Sequence, residues 1–259
     1  MIAKMAESKL SSETYSRLSK SMQESYAKNL VDRIKFSDDS SSVLEIGCGT
    51  GATAAYLARD MVRNGTVTAC DPQENRIRVA AEKYSGIEGL EFIKSTGVEA
   101  LKGKEQAYDI IYSNSVLHWM SDEEFEETMR LSFVAMKSGG FAAHNVVEAI
   151  PENIVKLVKH ANDENLKRLY EIIKPISLER LIDVSAKVGF KIVDSGRIPT
   201  VTKFDDLKEY LHLMDASLYC QFGIEEGCMK NSHQIDLPKD EDGKIIHVSP
   251  LVFVILEKV

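Results

Sequence analysis

Short apolar runs alternate with longer stretches of helical period over the first 150 residues. "VLEIG" at 43–47 and "YDIIYS" at 108–113 read as buried strands, and "TVTACD" at 66–71, "LEFIK" at 90–94 and "GGFAAHNVVE" at 139–148 as further strands. Between them, residues 51–63, 73–85 and 121–136 read as helices. Ser121 followed by Glu124 predicts a capping box at the start of the last of these. Ahead of the first strand, Leu18, Met22, Tyr26, Leu30 and Ile34 recur every four positions and predict a helix within 12–35. Such regular alternation predicts an α/β protein with a largely parallel sheet and helices on both faces.

Beyond residue 150 the alternation loosens. Residues 152–174 read as one helix ending before Pro175, and Ser177 as the cap of another running to about 188. "FKIVDSG" at 190–196 is a sixth strand, 204–220 a further helix and 227–244 a polar loop. The stretch "IIHVSPLVFVILEKV" supplies a last strand, interrupted by Pro250. The expected organisation is an N-terminal helical cap (1–40), a core (41–149) and a remainder (150–259). That remainder carries two helical insertions, about 150–176 and 199–244, placed to form a lid.

Composition narrows the function. A net charge of -8 argues against a surface that tracks phosphates, so no nucleic-acid partner is expected. "PLVFVIL" is too short to span a bilayer, and the N-terminal "MIAKMAESKL" lacks the apolar core of a secretory signal. Cys48, Cys70, Cys220 and Cys228 show neither a CxxC pair nor a His/Cys metal pattern. Free thiols in a cytoplasmic protein without a metal site are the simplest expectation.

The chemical signal is "LEIGCGTG" at 44–51. Gly47, Gly49 and Gly51 stand between a buried strand and a helix, where glycine admits positive φ and lets backbone amides approach a ligand. Asp71 ends the second strand, the place from which an acid can accept both ribose hydroxyls of an adenosine group. The competing reading is a tight turn and a surface acid. The spacing is G-x-G-x-G, not the G-x-G-x-x-G of a dinucleotide site, and Glu45 precedes it.

"VLEIGCGTG", "CDP", "AYDIIYSNSVLHW" and the "MKSGG" turn resemble class I S-adenosylmethionine-dependent methyltransferases. The resemblance implies a Rossmann-like sheet of seven strands with the last antiparallel, S-adenosyl-L-methionine as cofactor and S-adenosyl-L-homocysteine as product. It places Glu45, Gly47, Cys48, Gly49 and Gly51 against the methionine part of the cofactor and Asp71 at the ribose. Pro72 and Gln73 would flank the adenine, while Ser113 and Asn114 would face the amino group. Where many relatives carry an adenine-contacting acid after strand three, this chain reads "STGVEAL"; the backbone at Gly97 and Val98 is expected there instead.

"SNSVLHWM" at 113–120 holds the single tryptophan, just past a strand end. The stretch resembles juvenile hormone acid methyltransferases, and more distantly the plant salicylic acid group; trans-aconitate and malonyl-ACP methyltransferases are similar. All methylate carboxylates. The resemblance implies that Trp119 and Gln23 hold an acceptor carboxylate, with Tyr15 beside the cofactor on the same N-terminal helix. Other readings stay open. Trp119 can pack beneath the lid, and Cys48 can be a small packing residue. His118 or His144 can be structural, or a general base for a hydroxyl, amine or carrier-bound acyl acceptor. Met214, Tyr219 and Phe222 can be core or pocket wall. A non-enzymatic nucleoside-binding protein of the same fold is a further alternative.

Overall fold

A computed structural model of the chain describes residues 13, 15–17, 19–34, 41–162, 164–218, 222, 224–230 and 235–259. One sheet of seven strands forms its centre: β1 (Ser42–Ile46), β2 (Thr66–Asp71), β3 (Leu90–Lys94), β4 (Tyr108–Asn114), β5 (Met136–Val147), β6 (Lys191–Phe204) and β7 (Ile245–Glu257). The order is β3-β2-β1-β4-β5-β7-β6. β1 pairs in parallel with β2 and β4, whereas β7 runs antiparallel between β5 and β6. This is the expected Rossmann-like arrangement with the last strand reversed.

Strand alternation assigns the faces. In β1, Leu44 and Ile46 point into one core with α4 (Gly97–Leu101), α5 (Asp122–Ala135) and α8 (Leu178–Val188). Val43 points into the other core with α1 (Lys20–Val31) and α2 (Ala52–Tyr56), the latter continuing as a π turn over Leu57–Met61. Along that second face α3 (Glu74–Tyr84) packs through Ile77. The caps read from the sequence are present: Ser121 and Glu124 close both halves of a capping box on α5, and Ser177 accepts the Arg180 N–H at the start of α8.

A third apolar cluster belongs to the insertions. α6 (Glu152–Ala161), α7 (Asn165–Ile172), α9 (Leu207–Ser217) and α10 (Ile224–Lys230) bury Leu157, Leu169, Tyr210, Met214, Phe222 and Cys228 together. Tyr15 and Trp119 pack against this cluster from below. Met214 and Phe222 are therefore core of the helical cover; Tyr219 and Cys220 lie outside the described residues. Cys48, Cys70 and Cys228 are free and buried.

Four sequence expectations change. The helix expected over 152–174 is two helices. Asn162 turns extended (φ -166°) and its Oδ1 accepts the Glu164 N–H at 3.0 Å, a side-chain turn that ends α6. Residues 227–230, read as the start of a polar loop, belong to helix α10, which is packed on the cover. β6 runs on past residue 196 to Phe204, so the second insertion spans 205–244 and not 199–244. Lastly, Pro250 does not interrupt β7. It sits opposite Pro199 of β6, and its carbonyl turns to accept the Glu148 N–H at 2.8 Å. The main chain of this pair faces away from the shared ladder, so neither missing N–H leaves a gap between the two strands.

Candidate active site

The chain runs outward from β1 to β2 and β3, then crosses back to β4. A crevice opens where that order reverses, at the carboxyl ends of β1 and β4. A cavity of about 420 Å3 fills it, walled by the turns after β1, β2, β3 and β4, with Tyr15, Tyr26 and Ser217 closing it from the helical side.

The turn after β1 is fixed by backbone geometry. The amides of Gly47 and Cys48 both donate to the Cys70 carbonyl, at 2.7 and 2.9 Å. Gly47 adopts φ 72°, and a Cβ there would lie 2.3 Å from Val116 Cγ2. Only glycine lets the loops after β1 and β4 close on each other. Gly49 N–H donates to Asp71 Oδ2 at 3.0 Å, and Gln73 N–H to Asp71 Oδ1 at 2.8 Å. Asp71 thus ties the glycine loop to the start of α3. An ionised carboxylate offers about four acceptor sites, and Asp71 also lines the cavity.

Glu45 shares the parity of Val43 and so is carried inside the sheet layer, where it is 2% exposed. Burial, with Asp71 nearby, raises its pKa to about 8. Among the described residues its Oε2 has no hydrogen-bond partner, and neither has the buried Oδ1 of Asn114; both residues line the cavity. Two orphaned acceptors in an enclosed acidic place call for a cationic donor. The α-ammonium of S-adenosylmethionine, with three N–H groups, fits them.

Of the residues singled out from the sequence, Tyr15, Glu45, Gly47, Cys48, Gly49 and Asp71 line this cavity, as do Pro72, Gly97, Val98, Asn114 and Trp119. Four do not. Gly51 caps α2 beneath the loop, against Phe92 and Ala80. Gln73 is the N-cap residue of α3, buried, with its backbone N–H on Asp71. Ser113 is fully buried, its Oγ 2.8 Å from Nδ1 of its cross-strand partner His144. His118 is buried behind the wall, where its Nδ1 accepts the Val147 N–H at 3.3 Å. Burial lowers the pKa of His118 to about 3 and that of His144 to about 4. Both rings are neutral near pH 7 and neither lines the cavity. Gln23 lies on α1, but its side chain is outside the described residues.

Sequence reading missed Arg76, Glu99, Glu124 and Tyr26 as lining residues. Glu99 corrects the expectation that "STGVEAL" brings no acid to this place. Thr96 caps α4 in a capping box with Glu99, and that turn sets the carboxylate at the cavity beside Gly97 and Val98. The T-x-x-E spacing was the available signal. Arg76 is 5% exposed, with its guanidinium 4.3 Å over the Tyr15 ring and bonded to the Ala216 carbonyl at 3.5 Å. One side chain thereby joins α3, the N-terminal segment and α9. Among the described lining residues, the acids Asp71, Glu99 and Glu124, with Glu45, outnumber the one basic side chain, Arg76, so the cavity suits a positively charged cofactor.

Residues 43–140 match a model described as a methyltransferase domain. The match, the fold and the glycine loop together support a class I S-adenosylmethionine-dependent methyltransferase. It is 22% identical over 260 residues to malonyl-[acyl-carrier protein] O-methyltransferase of Bacillus anthracis, covering 91% of this chain and 94% of that one. Identity to trans-aconitate 2-methyltransferase of Variovorax paradoxus is also 22%, over 90% and 92%. A shorter match, 33% identical over 116 residues, is to the hybrid PKS-NRPS synthetase apdA of Emericella nidulans; it spans 43% of this chain and only 3% of that synthetase. Among solved structures, YcgJ of Bacillus subtilis superposes with TM-score 0.61 at 15% identity, over 90% of this chain and 98% of that one. The [4+2]-cyclase SpnF gives 0.58 at 16%, over 92% and 80%. Likeness at this level establishes the fold alone.

Glu45 gives the site a proton linkage. Its folded-state pKa lies above the unfolded value of 4.5, so the empty protein holds a proton there up to about pH 8. This contribution to stability is present at low pH and is lost as pH rises from about 4.5 through about 8. An ammonium bound beside Glu45 favours the ionised form. Cofactor binding at roughly pH 6.5 is therefore expected to release about one proton, and Glu45→Gln to suppress the release. Calorimetry in buffers of different ionisation enthalpy measures it; identical heats in every buffer would exclude the pairing.

Proposed function

We propose that this enzyme methylates a carboxylate oxygen of a small-molecule acceptor, giving a methyl ester. Bound S-adenosylmethionine supplies an electrophilic methyl group on a sulfonium sulfur. One acceptor oxygen forms the new C–O bond, the C–S bond breaks with its electron pair left on sulfur, and no proton need move. Sulfonium and carboxylate charges cancel in the step, which a closed site of low dielectric favours.

In this reading Glu45 and Asn114 receive the cofactor's ammonium and Asp71 the ribose hydroxyls. The Gly47–Gly49 amides lie along the methionine part, while Pro72, Gly97, Val98 and Glu99 border the adenine. Gly51, Gln73 and Ser113 act one layer back, by holding the loop, Asp71 and β5. Tyr15 and the helices α6, α7, α9 and α10 cover the acceptor, and the protein works in the cytoplasm, where its buried thiols stay reduced.

The observation that carries the proposal is Trp119. It stands in the short 3-10 turn Leu117–Trp119 that follows β4, lines the cavity and abuts the cover. An indole N–H is a neutral donor that orients a carboxylate without neutralising it. Neither His118 nor His144 reaches the cavity, so the alternative of a histidine base for a hydroxyl or amine gains nothing from the geometry. The names of the two full-length relatives point the same way, one a malonyl O-methyltransferase, the other acting on trans-aconitate.

Trp119→Phe keeps most of the ring and deletes the donor. Affinity for S-adenosylhomocysteine should be nearly unchanged, while kcat/KM for a carboxylic acid should fall roughly 10–200-fold, the worth of one charge-assisted hydrogen bond. Full activity of the variant on its acceptor would reduce the indole to packing.

A further inference from the structure

Arg76 stands where a solvated arginine would not. It is the third residue of α3, in the first turn, the end at which the helix dipole disfavours a cation. It is also 5% exposed, although arginine is among the residues least often buried. The guanidinium carbon lies 4.3 Å from the centre of the Tyr15 ring, and Nη2 donates to the Ala216 carbonyl at 3.5 Å. Ala216 belongs to the last turn of α9, whose closing carbonyls carry the negative end of that helix. The N-terminal segment and the cover thus hold this planar group in place, and it lines the cavity.

Its place along the cavity decides what it can meet. The strand order is β3-β2-β1-β4 on this side of the sheet. Glu45 and Asn114 stand at the ends of β1 and β4, whereas Arg76 follows β2 and the Thr96–Glu99 turn follows β3. With the ammonium at Glu45 and the ribose at Asp71, the base of the cofactor falls on the β2–β3 side. There Pro72, Arg76, Gly97, Val98 and Glu99 line the cavity. An anion beside Arg76 would also meet the carboxylates of Asp71 and Glu99. A purine is neutral and is not repelled by them. Its electron-rich face attracts a cation, and guanidinium is the cation whose own flat face stacks on an aromatic ring.

We propose that Arg76 binds the cofactor's adenine by stacking its guanidinium on the ring, with Tyr15 and the Ala216 carbonyl as the groups that position it. The base then lies between Arg76 on α3 and the Gly97–Val98 backbone after β3. The inference deepens the cofactor placement above and rests on it for the location of the base. It also gives the buried charge a task that its helix position alone does not.

The test compares S-adenosyl-L-homocysteine with S-ribosyl-L-homocysteine, which lacks the base, by calorimetry on the full chain. Arg76→Ala should weaken S-adenosylhomocysteine binding roughly 5–30-fold and leave S-ribosylhomocysteine binding as in wild type. Arg76→Lys keeps the charge without the plane and should recover only part of the loss. Equal weakening of both ligands would make Arg76 a structural support and overturn the proposal. Unchanged affinity for S-adenosylhomocysteine would overturn it as well. Arginine side-chain NMR of the wild-type protein gives a reading that depends on no variant and on no weak ligand. The Arg76 Nε–H proton should move upfield when S-adenosylhomocysteine binds, as a proton over the face of a purine does; no movement overturns the proposal. Asp71→Ala keeps the two levels apart, because both ligands carry the ribose and both should weaken. If Asp71→Ala weakens both while Arg76→Ala weakens neither, the cofactor placement stands and the role of Arg76 falls. If wild type binds neither ligand, the placement falls and the proposal with it.

Discussion

Asp71→Ala is expected to weaken S-adenosylmethionine binding by on the order of 10^2–10^4-fold. The magnitude follows from the two charge-assisted hydrogen bonds to the ribose proposed for Asp71, each about 1.5–3 kcal/mol. The structure adds a second cost. Asp71 is 5% exposed and accepts the N–H groups of Gly49 and Gln73, so its removal orphans two buried donors and loosens the glycine loop. Thermal stability should fall alongside affinity. Asp71→Asn separates the two effects, because its one carbonyl oxygen can still accept a backbone N–H while its amide repels the other. Isothermal calorimetry on the folded variants measures the outcome, and unchanged affinity in Asp71→Ala would sink the ribose assignment.

Gly51→Ala carries the largest expected loss of stability. Its φ of 83° is a conformation that costs an L-residue about 1–2 kcal/mol. The added Cβ would also sit 2.7 Å from Phe92 Cζ, 2.8 Å from Phe92 Cε1 and 2.9 Å from Ala80 Cβ. Phe92 and Ala80 belong to β3 and α3, which are fixed by the sheet and by packing, so overpacking adds about 1–3 kcal/mol. A total of roughly 2–5 kcal/mol is expected in urea unfolding. Gly86→Ala, where nothing lies within 4 Å, serves as the control and should stay within about 0.5 kcal/mol. Equal midpoints for the two variants would show that the loop yields to its neighbours.

Much of this architecture was legible because the determinants are local. β2 and β3 fall on "TVTACD" and "LEFIK" because each is a short run rich in apolar and β-branched residues between turn signals. Ser121 and Ser177 cap α5 and α8 because N-capping depends on residues three apart. The glycine loop and Asp71 could be placed for the same reason, as each sits at a strand end.

What escaped is set by distant partners. Glu99 reaches the cavity only because α4 starts where it does, over the end of β3. Arg76 resembles any helix-surface arginine until Tyr15 and Ala216, far away in sequence, close on it. Tyr26 belonged to the apolar stripe of a predicted helix; its polar end meets Ser249, far away in sequence. Ser113 and His118 stand at the right positions along the chain, yet cross-strand neighbours turn both away from the cavity. Periodicity locates an element, and tertiary contacts choose which of its side chains faces a ligand.

The paired prolines of β6 and β7 have a consequence for solubility. β6 is the outermost strand of the sheet, long for such a position, and shows Val193 and Val201 at 43% and 56% exposure. A straight row of free amides beside exposed valines is a template on which another chain can lay its own strand and start an aggregate. Because the main chain of Pro199 faces away from β7, its missing N–H falls on the outer rim, midway along that row. The incoming strand would lose a hydrogen bond at the centre of its register. The same proline that leaves the β6–β7 ladder whole thus blunts the β6 edge, one of the two edges of the sheet.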